Sequence, residues 1–266
     1  MPDVYTHGHQ EAVLRSHRWR TAENSAAYLL GELRPGLDVV DLGCGPATIT
    51  VDLARRVAPG RVLGIEVDEA IVATARATVA AAGDVAVDVT VGDAYALDLP
   101  DATFDVVHAH QVLQHLSDPV AACAEARRVL RPGGVLAVRD ADYAAFAWAP
   151  TDPRLDTWMR IYHQVTRHNG AEADAGRWLA TWVRAAGFTD VRVTSSTWTF
   201  VEPADREWWA GTWAERATRS SFAAQAVAYG YATDADLAGI AEAFTDWAAD
   251  PAAVWIIPHV EVIARR

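Results

Sequence analysis

The sequence predicts a doubly wound α/β domain, in which helices cover both faces of a mostly parallel sheet. Short strand-like runs alternate with helix-like segments between residues 38 and 140, as expected when each strand is followed by a crossover helix. The strand-like runs are apolar at nearly every position, which is typical of parallel strands buried on both faces. Glycines stand where helices end and strands begin, in keeping with their use as helix stops.

The predicted elements follow in a regular order. Helical segments at residues 11–15 and 21–33 precede an Arg-Pro-Gly stop. The pattern then predicts strands at 38–42, 61–67, 86–92, 104–110 and 133–140. Helices are expected after the first, second and fourth of these, at 47–57, 69–82 and 118–130, and a loop after the third.

After residue 140 the pattern becomes mainly helical. Residues 143–170 and 202–250 look helical and carry most of the eleven tryptophans. Between them, residues 174–188 predict an amphipathic helix and residues 189–200 a strand. No internal repeat interrupts this order.

The last run, residues 254–266, also alternates like a strand, but it contains Pro258. Proline cannot donate a hydrogen bond to a ladder. The regular strand is therefore expected to begin at about His259.

Composition and charge exclude some classes of function and some classes of partner. The chain has 266 residues and a net charge of −12, which argues against a nucleic-acid partner because phosphate recognition normally needs a basic face. No apolar run approaches the ~20 residues of a membrane span, and the N-terminus lacks the apolar core of a signal peptide. We therefore expect a cytoplasmic protein without membrane contact, either a monomer or a homodimer.

A metal site is not expected. Cys44 and Cys123 are the only cysteines, too few for a disulfide framework or a cysteine-rich zinc site. The remaining candidates are histidine groups, but the sequence offers them no obvious further ligands: His7 with His9, and His108 with His110 and His115.

The stretch VVDLGCGPATIT, residues 39–50, joins the first predicted strand to its helix. A dinucleotide fingerprint requires a third glycine three positions after the second, and Thr48 stands there instead. The alternative ligand is S-adenosylmethionine, whose amino-acid part and ribose approach a flat backbone at Gly43 and Gly45. Taken alone, the stretch also fits a plain turn before a helix.

Four stretches in order resemble the class I methyltransferases that use S-adenosylmethionine, in particular the ubiquinone and menaquinone biosynthesis C-methyltransferase branch. These stretches are VVDLGCGPATIT, VLGIEVD, VGDAYALDLPDATFDVVHAHQVLQHLSDP and EARRVLRPGGVLAV, within residues 38–138. The resemblance implies a Rossmann-like, mostly parallel sheet of seven strands with an antiparallel last strand. It also implies S-adenosylmethionine as methyl donor and S-adenosylhomocysteine as product. One departure is Ala47, where the family often has a third glycine.

The resemblance implies roles for the first two strand ends. Asp41 and the backbone of Gly43 and Gly45 would hold the methionine part of the cofactor. Glu66, followed by Val67, would bind both ribose hydroxyls, because a carboxylate can accept two hydrogen bonds.

The resemblance also implies that residues after the third and fourth strands bind the adenine and close the site. Asp93 would accept a hydrogen bond from the adenine amino group, and the backbone at Ala94 would contact the ring. His110 and Gln111 would form a wall of the site after the fourth strand.

The segment before the sheet is a candidate lid, because family members often fold such a segment over the bound cofactor. Arg20 is the candidate partner for the cofactor carboxylate, since a guanidinium suits that group. Tyr5 and His17 are candidates for closing over the sulfonium. The alternative is a surface helix with solvated arginines.

The acceptor is expected beyond the carboxyl ends of the strands, where ligands bind in open α/β sheets. Candidate general bases there are His110, Asp142 and His259, although methyl transfer depends mainly on alignment and can proceed without a base. Tryptophans of the helical insertions either line a pocket for a flat or apolar acceptor or pack against the fold: Trp148, Trp158, Trp208, Trp209 and Trp213.

The sequence thus predicts one methyltransferase domain over residues 1–266. Residues 1–33 form the lid, residues 34–139 the cofactor-binding core, and residues 140–175 and 202–250 a helical cap. The expected activity is methyl transfer to a small aromatic or apolar metabolite, such as a quinone, phenol or polyketide. The alternative is a protein that binds the cofactor or a partner on this fold without catalysis.

Overall fold

The computed structural model describes residues 3–8 and 11–266, and side chains at 3–8 and 14–266. The strands are β1 (Val39–Leu42), β2 (Val62–Glu66), β3 (Val87–Val91), β4 (Phe104–His110), β5 (Leu130–Ala141), β6 (Ala147–Ala149), β7 (Asp190–Phe200) and β8 (Val254–Arg265). The helices are α1 (Glu11–Arg18), α2 (Ala22–Ser25), α3 (Thr48–Val57), α4 (Glu69–Ala81), α5 (Pro119–Val129), α6 (Pro153–His168), α7 (Ala175–Ala185), α8 (Pro203–Arg219), α9 (Ser221–Ala228) and α10 (Asp234–Ala249). Short 3-10 turns occur at Ala27–Glu32, Leu113–His115 and Tyr143–Ala145.

The strands form one sheet in the order β3-β2-β1-β4-β5-β8, with β6 and β7 both paired to β8. β1 to β5 are parallel, and the pairs made by β8 are antiparallel. The predicted doubly wound α/β class is confirmed, as is the antiparallel last strand. The strand order reverses between β1 and β4, which is where open α/β sheets bind ligands.

Two details differ from the sequence prediction. β6 is an eighth strand inside a segment expected to be helical; its three residues pair with the start of β8. β8 begins at Val254 and passes through Pro258. The Pro258 carbonyl accepts a hydrogen bond from the Asp142 amide. The nitrogen of Pro258, which carries no hydrogen, faces the same side of β8, toward the gap between β5 and β6. The hydrogen bonds between β7 and β8 are therefore preserved.

The alternation of side chains along each parallel strand builds a core on both faces of the sheet. Val39 and Val40 are adjacent in β1 and fully buried, but they belong to different hydrophobic clusters. Val39 packs in the cluster that includes Leu53 of α3, and Val40 in the cluster that includes Leu179 of α7. Both faces are therefore covered, as the apolar strands predict.

Aspartates start two of the covering helices. Asp68 accepts hydrogen bonds from the amides of Ala70 and Ile71 at the start of α4. Asp118 accepts from the Ala121 amide at the start of α5, where Pro119 takes the first helical position. These side chains satisfy amides that a helix leaves without partners, which explains why the helices begin there.

The C-terminal helices form a separate aromatic core against β6 and β8. Trp158 of α6, Trp213 of α8 and Trp255 of β8 are fully buried. The rings of Trp158 and Trp213 are 4.6 Å apart in an edge-to-face arrangement. Within the described part of the chain, no helix is both long enough and apolar enough to cross a bilayer.

This aromatic core predicts a large stability effect at Trp158. We expect Trp158→Ala to lower the free energy of unfolding by about 3–5 kcal/mol, because the cavity left behind removes ring contacts with Trp213, Trp255 and Phe244. Chemical denaturation measures the loss. Trp178→Ala is the matched control: that side chain is 45% exposed, and its loss should change stability by no more than about 0.5 kcal/mol.

Candidate functional site

A cavity of about 450 Å³ lies at the carboxyl ends of β1, β2 and β4. Its volume falls within the ~300–1,000 Å³ range of small-molecule sites. Every residue expected from the sequence to contact the cofactor lines it: Tyr5, His17, Arg20, Asp41, Gly43, Gly45, Glu66, Val67, Asp93, Ala94, His110 and Gln111. Residues from the N-terminal segment and from four strand ends thus meet around one space.

The floor of the cavity is the turn between β1 and α3, which takes left-handed backbone at three positions. Gly43 and Gly45 have φ of +60° and +53°, a region that glycine enters without penalty. A Cβ on Gly43 would also lie 2.5 Å from Cγ2 of Val112, so the chain approaches the loop after β4 very closely there. Ala47 also has a left-handed backbone, with φ of +62°. This conformation explains why the family often has glycine at this position, because it costs an alanine roughly 1–2 kcal/mol of stability.

Asp41 is buried beneath this turn, and both its carboxylate oxygens have partners. Oδ1 lies 2.7 Å from Nδ1 of His108, and Oδ2 accepts from the Thr50 hydroxyl at 2.6 Å. The side chain therefore joins β1, β4 and α3 while it lines the cavity.

The other two acids stand at the rim. Glu66 accepts a hydrogen bond from the Gly45 amide at 3.1 Å and another from its neighbour Val67 at 2.8 Å. Asp93 accepts from the Tyr95 amide at 2.9 Å. Each carboxylate faces the cavity with acceptor capacity left over, since an ionised carboxylate has about four lone-pair sites.

Gln111 connects the wall of the cavity to β5 and β8. It is a non-glycine residue with φ of +54°, and its amide donates to the Arg139 carbonyl at 2.7 Å. Its side-chain oxygen accepts from Nη2 of Arg20 at 2.6 Å, and its Nε2 lies 2.9 Å from Nε2 of His259. Gln111 thereby holds Arg20 at the wall of the cavity.

The N-terminal segment closes one side of the cavity. Asp3 accepts hydrogen bonds from the Tyr95 hydroxyl at 2.6 Å and from the Ser117 amide at 3.0 Å, which holds the segment to the loops after β3 and β4. Burial raises the pKa of Tyr5 to about 12 and lowers the pKa of Arg20 to about 10. Both side chains are partly buried where the segment meets the cavity.

A second, smaller cavity of about 30 Å³ shares a wall with the first. The shared residues are Tyr5, His17, Arg20, Gln111 and His115. Aromatic side chains from distant parts of the chain form much of the remaining wall: Trp19, Tyr143, Phe146, Trp198, Trp208 and Trp209. Arg216 of α8 also lines it.

Of the three candidate bases, only His110 lines the larger cavity. Burial, with Arg20 and Arg139 nearby, lowers the pKa of His110 well below its usual value, so the ring is neutral at physiological pH. Neither ring nitrogen of His110 has a hydrogen-bond partner among the described residues.

The other two candidates line neither of these cavities. Asp142 forms an ion pair with Arg177, whose Nε donates at 2.7 Å, and it also accepts from the Arg177 amide. His259 is fully buried in β8, with ring contacts to Gln111 and to the Ile257 carbonyl. Both side chains thus have partners within the protein: Asp142, just after β5, is held by α7, and His259 is held within the sheet.

The metal candidates do not assemble among the described residues, where no group of three His, Cys, Asp or Glu side chains is arranged to hold an ion. His108 is held by Asp41. The ring of His7 is 5.6 Å from that of His115 and donates to or accepts from the Tyr162 hydroxyl at 3.0 Å. His9 lies outside the described residues.

Several lining residues escaped the sequence analysis. Val112 and Leu116 follow β4 and give the larger cavity apolar walls. Asp3 and Tyr95 meet across 92 positions of sequence. Arg216 stands 200 positions from Ser16, whose hydroxyl accepts its hydrogen bond. No local pattern marks such residues, although Val112 belongs to one of the four stretches that carry the family resemblance.

The chain is similar in sequence to known methyltransferases. Residues 40–138 match the family model described as a methyltransferase domain. An uncharacterized methyltransferase of Schizosaccharomyces pombe is 31% identical over 225 residues, which cover 82% of this chain and 81% of that protein. A 2-methyl-6-phytyl-1,4-hydroquinone methyltransferase of Synechocystis is 33% identical over 177 residues, which cover 64% of this chain and 52% of that protein.

Among solved structures, the YcgJ protein of Bacillus subtilis has the same fold. Its TM-score is 0.61 at 18% identity, with 92% of this chain and 99% of that chain covered. At this identity the likeness concerns the fold alone.

The close approach at Gly43 generates a stability prediction. We expect Gly45→Ala to cost roughly 1–2 kcal/mol, the strain of a left-handed alanine. Gly43→Ala should cost about 1–3 kcal/mol more, because its Cβ would collide with Val112 whereas a Cβ on Gly45 meets only an ordinary contact at 3.7 Å. Chemical denaturation of the ligand-free variants measures both, and equal losses would mean that Val112 moves aside freely.

Proposed function

Since the chain belongs to the class I S-adenosylmethionine-dependent methyltransferases, we propose that it moves a methyl group to a small aromatic or apolar metabolite. The observation that carries this proposal is the pair of adjoining cavities. The larger lies at the sheet position where this family holds its cofactor, and the smaller is walled by aromatic rings. The named substrate of the Synechocystis relative, a hydroquinone, belongs to the same chemical class.

The residues of the larger cavity fit the cofactor. Gly43 leaves bare backbone where a side chain would fill the cavity floor. Nε of Arg20 is buried without a hydrogen-bond partner among the described residues, although the cavity wall carries the guanidinium, and a carboxylate would pair with it. Glu66 and Asp93 offer the acceptors that hydroxyl and amino groups need.

The bound cofactor supplies a methyl group on a sulfonium, and the protein supplies alignment. In our proposal Asp41 and the glycine turn hold the methionine part, Glu66 binds the ribose, and Asp93 with Ala94 binds the adenine. Tyr5, His17 and Arg20 cover the donor and exclude water, which would compete as an acceptor. Alignment of two reactants in a closed site provides most of the rate gain that such a displacement needs.

His110 is the proposed acceptor of the proton that the metabolite loses. Its ring is neutral, lines the larger cavity and has free nitrogen lone-pair capacity. A base of low pKa suits acceptors that are already acidic and gives little help to weakly acidic ones.

The activity itself is tested with radiolabelled or deuterated S-adenosylmethionine and a panel of phenols, quinols and polyketide-like aromatics. Methyl uptake by one of these classes supports the proposal. Tight binding of S-adenosylhomocysteine without methyl transfer to any acceptor would favour the alternative, a cofactor-binding protein without catalysis.

Glu66 provides a prediction on cofactor affinity. We expect Glu66→Ala to weaken S-adenosylhomocysteine binding by roughly 2–3 kcal/mol, through the loss of two hydrogen bonds to a charged group. Calorimetry measures the affinity, and denaturation of the ligand-free protein should show little change. Glu69→Ala, at an exposed acid in the first turn of α4, is the control and should bind normally. A loss of ligand-free stability as large as the loss of affinity would give Glu66 a structural role instead.

The lid proposal predicts that ligand binding and the order of the N-terminal segment are linked. We expect residues 5–8 and 11–20 to gain protection from hydrogen exchange when S-adenosylhomocysteine is added, because closure over the ligand shields their amides. Deleting residues 1–20 should leave a folded sheet that binds the cofactor far more weakly, since none of the described residues of this segment belongs to the sheet. Unchanged exchange together with normal binding by the truncated protein would contradict the lid.

A further inference from the structure

Arg216 of α8 is a buried cation whose charge the described residues do not neutralise. Its side chain lines the smaller cavity, and the residue is only 5% exposed. Nη2 donates to the Ser16 hydroxyl, and the guanidinium lies 5.2 Å from the centre of the Trp213 ring. Nε has no hydrogen-bond partner, and no carboxylate oxygen among the described side chains comes within 4.0 Å.

Two other buried arginines of this protein have partners that Arg216 lacks. Arg139 forms an ion pair with Glu261 and donates to Ser196, although its Nη1 has no hydrogen-bond partner among the described residues. Arg206, on the same helix as Arg216, donates to the carbonyls of Val201, Ala248 and Pro251. Burying a guanidinium without such partners costs several kcal/mol, so the position of Arg216 calls for a ligand.

A second guanidinium stands in the same wall. Arg20 lines both cavities, and among the described residues it has Gln111 as a neutral partner and no carboxylate. The nearby imidazoles of His7, His17 and His115 carry no charge at neutral pH, because burial and the arginines lower the pKa of each. The smaller cavity therefore concentrates positive charge in a chain whose net charge is −12.

The size and location of the smaller cavity indicate which group this charge would bind. At about 30 Å³ it has room for roughly two water molecules, which is the size of a carboxylate group rather than of a whole ring. Arg20 borders both cavities and is available to the cofactor carboxylate, whereas Arg216 borders only the smaller one. Ordinary phenols are neutral at pH 7 and carboxylates are ionised, so a carboxylate is the group that arrives with a charge.

We propose that the methyl acceptor is an aromatic carboxylate, whose carboxylate binds Arg216 in the smaller cavity and whose ring extends along the shared wall toward the larger cavity. This inference rests on the proposed function and specifies its substrate class. A planar guanidinium pairs with a carboxylate through two parallel hydrogen bonds. The rings of Trp198, Trp208 and Tyr143 border the same space and suit a flat substrate.

A purely structural role for Arg216 would be to hold α8 to α1. One of its nitrogens does this through Ser16, and the ion pair between Arg15 and Glu215, 2.9 Å apart, joins the same two helices. Breaking that exposed pair disturbs the helix contact without touching the cavity. Glu215→Gln is therefore the matched control for Arg216→Gln.

The test uses benzoate and its neutral isostere benzamide as probes on full-length protein saturated with S-adenosylhomocysteine. We expect wild-type protein and Glu215→Gln to bind benzoate about ten- to a hundredfold more tightly than benzamide, and Arg216→Gln to lose this preference. Arg216→Lys, which keeps the charge but not the planar fork, should restore part of it. Circular dichroism and denaturation establish that each variant is folded.

Three results would overturn the inference: no benzoate binding at millimolar concentration, a benzoate preference that survives in folded Arg216→Gln, or an equal loss of preference in Glu215→Gln. Weaker binding of S-adenosylhomocysteine by Arg216→Gln, as large as that by Arg20→Gln, would also overturn it, because Arg216 would then serve the cofactor. Failure of the proposed function would give other results. Wild-type protein would bind no S-adenosylhomocysteine, or it would bind S-adenosylhomocysteine and benzoate but methylate no acceptor.

Discussion

The geometry of the site depends on the buried contact between Asp41 and His108. These residues are register partners on β1 and β4, the two strands between which the sheet order reverses. Asp41 also accepts from Thr50 in the first turn of α3, so one carboxylate connects two strand ends and the start of a helix. A buried carboxylate is costly when it has no partner, so these two contacts hold Asp41 in this position. The glycine turn above Asp41 can then approach Val112 closely enough to form the cavity floor.

Burial explains the electrostatics around that floor. His110 and His259 share with His7 and His17 a pKa well below the usual value, with desolvation by burial as the first cause. These rings are therefore neutral at physiological pH. The Arg20 guanidinium keeps its charge, because its lowered pKa of about 10 remains above neutral pH. Burial also lowers the pKa of Arg216, but a guanidinium starts from so high a pKa that it stays protonated in proteins. The positive charge among the residues that line the two cavities is thus carried by two groups that can each pair with a carboxylate.

The walls of the smaller cavity come from segments far apart in sequence. Trp19 comes from the N-terminal segment, Trp198 from β7 and Trp208 from α8, and the Trp19 ring lies 5.1 Å, centroid to centroid, from each of the other two rings. The N-terminal segment therefore contacts both cavities, through Arg20 and Trp19. A segment that orders over the donor would shape the acceptor pocket at the same time, which links binding of the two substrates.

Features that depend on neighbouring residues could be predicted from the amino-acid order alone. Apolar runs predicted β4 at its observed bounds, and the glycines of residues 39–50 marked a turn, whose backbone is left-handed in the structure. All twelve residues expected to contact the cofactor line one cavity. Nine of them lie at or just after strand ends, and parallel strands end at a common edge; Tyr5, His17 and Arg20 come from the N-terminal segment instead. Their individual roles remain predictions.

Features that depend on distant partners emerged from the packing of the elements. Asp142 and His259 looked equally suited to catalysis, yet Arg177 and Gln111 engage them, and neither side chain lines either cavity. Pro258 fits inside β8 because its missing amide faces a gap between two other strands. No local pattern predicted Arg216 as a binding residue. Its environment is set by the Ser16 hydroxyl, 200 positions away, and by the absence of a described carboxylate around it. Local backbone preferences act over a few residues, whereas the pairing of a buried charge is set by whichever elements pack against it.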